Sequence, residues 1–148
     1  MHWTGAQLHT FLVEHLGPTF AAQGIADEVG IFLSTFPVDE YENYVAPSLR
    51  DPTALKYLAG MGVQYSGVGM LAQIRAARPG LKTWETETPC GQGRAVSCGS
   101  GPGTHNNSWQ WGEGQWMYMR AYIESGASVY SQWNMVLDET GLQGGGWG

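Results

Sequence analysis

Segments with helical and strand-like patterning alternate four times along this chain, and that alternation constrains the fold more than any other feature. In residues 4–24, Leu8, Phe11, Leu12, His15 and Leu16 take the i, i+3, i+4 spacing of one apolar helix face, with Thr4 as the N-cap. Gly17-Pro18 interrupts this face, although Pro18 suits the first turn of a helix continuing through Phe20 and Ala22. Residues 28–36 (EVGIFLSTF) read as a buried strand. A polar stretch, PVDEYENYVAPSLRDP, follows, and Asp51-Pro52 opens a helix over TALKYLAGM. Residues 62–69 (GVQYSGVG) read as a second strand, 70–77 as a helix, Arg78-Pro79-Gly80 as a turn and 81–88 as a third strand. A loop over 89–106 carries five glycines between Gly91 and Gly103. Loops of that length are usually functional or disordered. Residues 109–125 then read as a helix and 128–137 as a fourth strand.

Alternation of this kind implies a parallel sheet with right-handed crossovers. Four strands make a small doubly wound sheet, or half of a (β/α)8 barrel, whose full form takes about 250 residues. The chain opens on a helix and closes on GGGWG just after a strand, which favours the half-barrel as an expectation. No glycine fingerprint follows a strand and no GxxxxGK[ST] occurs, so nucleotide binding has no motif to support it.

Charge narrows the partners. Seven Lys and Arg against a net charge of −6 argue against nucleic acid and against an anionic membrane surface. No apolar run reaches the roughly 20 residues of a transmembrane helix. MHWTGAQLHTFLVEH lacks the basic and apolar regions of a signal peptide. His2, His9, His15 and His105 are scattered, so neither a metal nor another cofactor is expected. Cys90 and Cys98 share the glycine-rich loop and form either a small disulfide or two free thiols.

In a parallel α/β sheet, chemistry gathers where strands end and the following loops begin. That rule selects Thr35-Phe36, residues 64–67, residues 85–88 and Trp133-Asn134. Alternation along the third strand puts Trp84 and Thr86 on one side and Glu85 and Glu87 on the other. Glu87, nearer the C-terminal end, is the one a ligand would reach, whereas Glu85 lies one pleat deeper, in support. Trp109, Trp111 and Trp116 fall on the fourth helix, and Trp116 is expected in the core. Trp133 and Asn134 end a strand, where an indole stacks on a sugar face and an amide bonds hydroxyls. Together with Glu87 and Gln64 they suit an uncharged polyhydroxylated substrate.

WETETPCG, the loop ending in NNSW, and SVYSQWNMVLDETG resemble glycoside hydrolase family 30, which includes glucosylceramidases and related β-glycosidases. LHTFLVEHLGPTF and DPTALKYLAGMGVQYSGVG extend the resemblance over nearly all of the chain. It implies a retaining β-glycosidase acting on a carbohydrate or glycoconjugate, without a cofactor. The implied fold is a partial (β/α)8 TIM barrel, with residues 1–148 as its C-terminal half, matching strands five to eight only, and no second domain. By the same resemblance Glu87 is the nucleophile, Trp133 lines the sugar subsite beside Asn134, and Gln64 contacts substrate; Trp109, which closes the NNSW stretch, is a further substrate-binding candidate. The family's acid/base glutamate belongs to an Asn-Glu-Pro motif that does not occur in this sequence. The expectation is therefore a missing N-terminal half-barrel and an isolated chain that is inactive. Relatives of this kind are commonly secreted or lysosomal, so a secreted location is implied. The contrasting readings are a non-catalytic carbohydrate-binding or interaction module with Trp109, Trp111 and Trp133 as platforms, and a small unrelated α/β sheet protein.

Overall fold

A computed structural model describes residues 3–36, 39–89 and 109–133. Its centre is one sheet of four strands: β1 (Ile31–Phe36), β2 (Leu58–Gln64), β3 (Lys82–Pro89) and β4 (Val129–Trp133). The strands lie in chain order and each pairs with the next in parallel. The chain is thus α/β with a parallel sheet, as the alternation implies. Sequential parallel strands with right-handed crossovers stack the intervening helices on one face. Leu33, Met61 and Val63 point into that layer and are buried against Leu12, Val45, Leu49 and Ile74. On the opposite pleat Phe32 and Trp84 stack at 3.9 Å between ring centroids. They meet across β2 at Gly60, where a Cβ would strike the Phe32 ring and the Lys82 carbonyl.

The first helical stretch is continuous but not uniform. Thr4 caps α1 (Gly5–Phe11) with a full capping box, its hydroxyl accepting from the Gln7 N–H while the Gln7 side chain accepts from the Thr4 N–H. A π-helical segment, Leu12–Leu16, then leads into α2 (Gly17–Ala22). Pro18 has no N–H for the i→i−4 bond, and the wider turn accommodates that loss. Leu12 is buried, while Phe11 faces outward against Trp3 and His15.

The polar stretch after β1 folds more than its composition suggests. It holds two single-turn helices, α3 (Tyr41–Tyr44) and α4 (Ala46–Leu49), which bury Val45, Ala46, Ser48 and Leu49. The helix expected over TALKYLAGM is reduced to α5 (Pro52–Leu55), capped by Asp51, and β2 starts at Leu58 rather than at residue 62. Gly60 and Gly62 weaken a strand reading of LAGMGVQ, yet only glycine fits there beneath Phe32 and the Ser34 carbonyl. The strand also ends earlier than expected: Tyr65–Gly67 is a 3₁₀ turn that feeds α6 (Val68–Ala77).

The last helix, α7, spans Trp109–Ser125, as its pattern predicts. Among its described side chains the buried aromatics are Tyr118 and Tyr122, whereas Trp109 and Trp116 are 82% and 60% exposed. Trp116 is therefore not a core residue. Its face of α7 points away from the sheet and leaves the tyrosine face to pack. Among the described residues no helix is long and apolar enough to cross a membrane.

Candidate active site at the C-terminal ends of β2 and β3

Gln64 is the last residue of β2, and its partner in the ladder is Glu87 of β3. The two side chains meet as well, the Gln64 amide donating to Glu87 Oε2 at 3.3 Å. Tyr65 follows at once, in the left-handed region at φ +46°, which turns the chain from strand into 3₁₀ turn. This turn brings Tyr65 Oη to 3.0 Å from Glu87 Oε1, with the phenol donating. Each oxygen of the half-buried Glu87 carboxylate thus has one side-chain donor. Burial, and then the Glu87 carboxylate itself, push the Tyr65 hydroxyl above its ordinary value, so it stays protonated as a donor.

Glu85 has a different environment. It is fully buried, and its Oε1 accepts from the Thr88 hydroxyl at 2.5 Å while Oε2 accepts from the Ser131 N–H at 2.6 Å. The Glu87 backbone N–H is a further donor to this carboxylate. Burial pushes the Glu85 carboxyl up from the usual range, and the three donors only partly oppose that. Strict alternation would set Glu85 and Thr88 on opposite faces. The ladder instead slips, between Val63 and Gln64 on one side and between Glu85 and Thr88 on the other. That irregularity takes Glu87 out of phase with Glu85 and overturns the expectation that the two carboxylates share a face.

Tyr65 is tied down at both ends of its peptide unit. Its N–H donates to Thr88 Oγ1 at 3.3 Å, and its carbonyl accepts from Tyr122 Oη at 2.5 Å and from Tyr118 Oη at 3.2 Å. Tyr65, Thr88, Tyr118 and Tyr122 carry the geometry around Glu87 and Glu85, and sequence reasoning assigned none of them a role. The available signal was positional: Tyr65 and Thr88 lie within the two strand-end windows around Gln64 and Glu87.

Of the residues expected at the site, Glu87 and Gln64 are brought together. Trp133 is the final residue of β4, its backbone opposite Pro89 of β3. Asn134, Cys90 and Cys98 lie outside the described residues. Trp109 stands in the first turn of α7, where its indole N–H donates to Glu113 at 2.9 Å rather than to any described member of the Glu87 cluster. His9 pairs with Asp51 at 2.8 Å, and among the described residues no three His, Cys, Asp or Glu side chains gather as a metal site. An open groove of about 480 Å³ runs along α1 between Trp3, Phe11 and His15, and it shares no residue with the strand-end cluster.

No protein-family model matches the sequence, and no curated protein does. Among solved structures, the crystal structure of SrfJ from Salmonella typhimurium is similar, with a TM-score of 0.61 and 21% identity. The match takes in 87% of this chain but only 27% of that one, so the chain spans about a quarter of the other's length. At this identity the likeness is one of fold. It bears on the sheet and its helices, and the chemistry of the site rests on the residues described above.

Proposed function

We propose that this chain is the nucleophile-bearing part of a retaining β-glycosidase of the glycoside hydrolase family 30 type, glucosylceramidase-like, with residues 1–148 as the C-terminal half of a (β/α)8 barrel. The observation that carries the reading is the Glu87 carboxylate, set at a strand's C-terminal end and held by Tyr65 and Gln64. A retaining glycosidase needs a carboxylate whose attacking oxygen is fixed in direction and whose charge is stabilised until it meets the anomeric carbon. The two donors supply both. A protonated phenol beside Oε1 orients the carboxylate without taking its charge. The sequential parallel sheet, and its likeness to a longer chain, support the barrel.

In this mechanism Glu87 forms the glycosyl-enzyme bond while a second carboxyl, roughly 5 to 5.5 Å away, protonates the leaving oxygen. Glu85 does not suit that second role, because it is enclosed by the Thr88, Ser131 and Glu87 donors on the buried side of β3. The 148 residues alone are accordingly proposed to be a very poor catalyst, since general acid help contributes typically 10² to 10⁴ in rate.

The test uses a 2-deoxy-2-fluoro-β-glycosyl fluoride, whose leaving group needs little acid assistance. Intact-mass and peptide analysis should find one covalent sugar on Glu87 in the parent chain and none in Glu87→Gln. A parent chain that stays unlabelled, while binding oligosaccharide on its exposed tryptophans, would point instead to a non-catalytic carbohydrate module.

A further inference from the structure

The feature left unused by that mechanism is the backbone of Tyr65. A non-glycine residue at φ +46° is held against its own preference, and such outliers persist only where the surroundings over-determine them. Here the restraint is visible. Two phenols from one helix face, four residues apart, donate to a single carbonyl, Tyr122 Oη at 2.5 Å and Tyr118 Oη at 3.2 Å. The N–H of the same residue donates to Thr88 Oγ1, whose own proton goes to Glu85.

A purely apolar contact would need no hydroxyls at these positions, because phenylalanine fills the same ring volume. Tyr122 and Tyr118 are 0% and 2% exposed, and both hydroxyls donate to the carbonyl of the turn. Release of that carbonyl would let Tyr65 relax toward negative φ and swing its ring, and with it the donor to Glu87 Oε1. Burial pushes both phenols above their ordinary value, so the two stay protonated donors across the neutral range.

We propose that Tyr122 and Tyr118 of α7 are positioning residues, which clamp the Tyr65 carbonyl in its left-handed turn and thereby aim the Tyr65 hydroxyl at Glu87. The functional side of this inference rests on Glu87 being the nucleophile. The structural side does not.

The experiment places 3-fluorotyrosine at position 65 of the full chain and follows its ¹⁹F resonance, which reports on the adjacent hydroxyl. In the parent chain, Glu87→Gln should shift that resonance, because the phenol loses a charged acceptor. In Tyr118→Phe/Tyr122→Phe the response to Glu87→Gln should be lost, with cooperative unfolding retained. The rate constant for fluorosugar labelling of Glu87 should fall on the order of tenfold, while the reagent concentration for half-maximal labelling is unchanged. An undiminished ¹⁹F response in the double variant overturns the clamp, whatever the labelling does. If the response is lost but even the parent is never labelled, the clamp stands and the nucleophile assignment fails. Should the double variant not fold, Tyr118→Phe, which removes the longer bond, carries the same comparison: a reduced response supports the clamp and a full one overturns it.

Discussion

The Thr88 hydroxyl donates to Glu85 across 2.5 Å and accepts the Tyr65 N–H at 3.3 Å, so one oxygen links the C-terminal end of β3 to the first residue after β2. Glu85 in turn accepts from Ser131 of β4. A buried carboxylate is thereby shared by three consecutive strand ends. Its cost is desolvation, and its return is the fixed ladder irregularity that turns Glu87 toward Gln64 and Tyr65.

Glu85 therefore has a distinctive pH signature. Its folded-state pKa is raised by burial above the ordinary value of 4.5, so the folded state prefers the protonated acid. The stabilising contribution is full below about pH 4.5 and is lost as pH rises through the folded value. With Glu85→Gln as a reference that does not titrate, urea unfolding between about pH 4 and about pH 8 should show parent stability falling relative to the variant. A gap that stays constant or grows in the parent's favour contradicts a raised Glu85. Glu85→Ala, which leaves the buried donors without their acceptor, should destabilise by about 3 kcal/mol near the acid end of this range, and that gap should narrow as pH rises just as it does against Glu85→Gln.

Gly62 tests the packing that placed β2. A Cβ there would collide with the Ser34 carbonyl and lie 3.3 Å from Thr86 Cγ2. Ser34 is itself left-handed at φ +68°, where the β1 ladder shifts register, so its carbonyl has little room to withdraw. Gly62→Ala should cost roughly 3 kcal/mol. Gly80, with nothing within 4 Å of its Cβ position, is the control, and Gly80→Ala should stay within about 0.5 kcal/mol. Equal effects of the two substitutions in chemical denaturation would remove the crowding argument.

The same residue shows what the sequence could and could not tell. Elements specified by neighbours in the chain were legible: the Thr4 cap, and the span of α7 at Trp109–Ser125. The start of β2 was not, because Gly60 and Gly62 are dictated by Phe32 and Ser34, more than 25 residues upstream. The candidate site divides in the same way. Glu87 and Gln64 stand out by position at strand ends, whereas the separation of Glu85 from Glu87 depends on a Ser131 N–H from another strand. Tyr65 and Tyr122 are 57 residues apart, and no local pattern announces that one clamps the other.

The capping box at the start of α1 gives a local prediction. Thr4→Ala removes the acceptor for the Gln7 N–H and should cost about 1 kcal/mol, and Thr4→Ser should recover most of it. Thermal or urea unfolding checks this directly. A neutral Thr4→Ala would mean that the packing of Leu12, and not the cap, fixes the first turn.

The tyrosines around Glu85 and Tyr65 predict the alkaline limit of the fold. Burial raises Tyr65, Tyr118 and Tyr122, and pushes Tyr130 up to about 12, from the ordinary phenol value of 10.0. The folded state thus keeps protons that the unfolded chain gives up near pH 10, so unfolded molecules bind fewer protons there. By linkage the stability from these phenols is full below about pH 10 and is lost as pH rises toward the folded values. Urea unfolding from about pH 9 to about pH 11 should show a steep fall, with the phenolate absorbance of Tyr65, Tyr118, Tyr122 and Tyr130 appearing as the chain unfolds. Tyr122→Phe removes one of the most strongly shifted phenols and should flatten that slope, even though the variant starts from lower stability. A slope unchanged in Tyr122→Phe would mean that this hydroxyl is not held protonated against the Tyr65 carbonyl, and the clamp would lose its shorter bond.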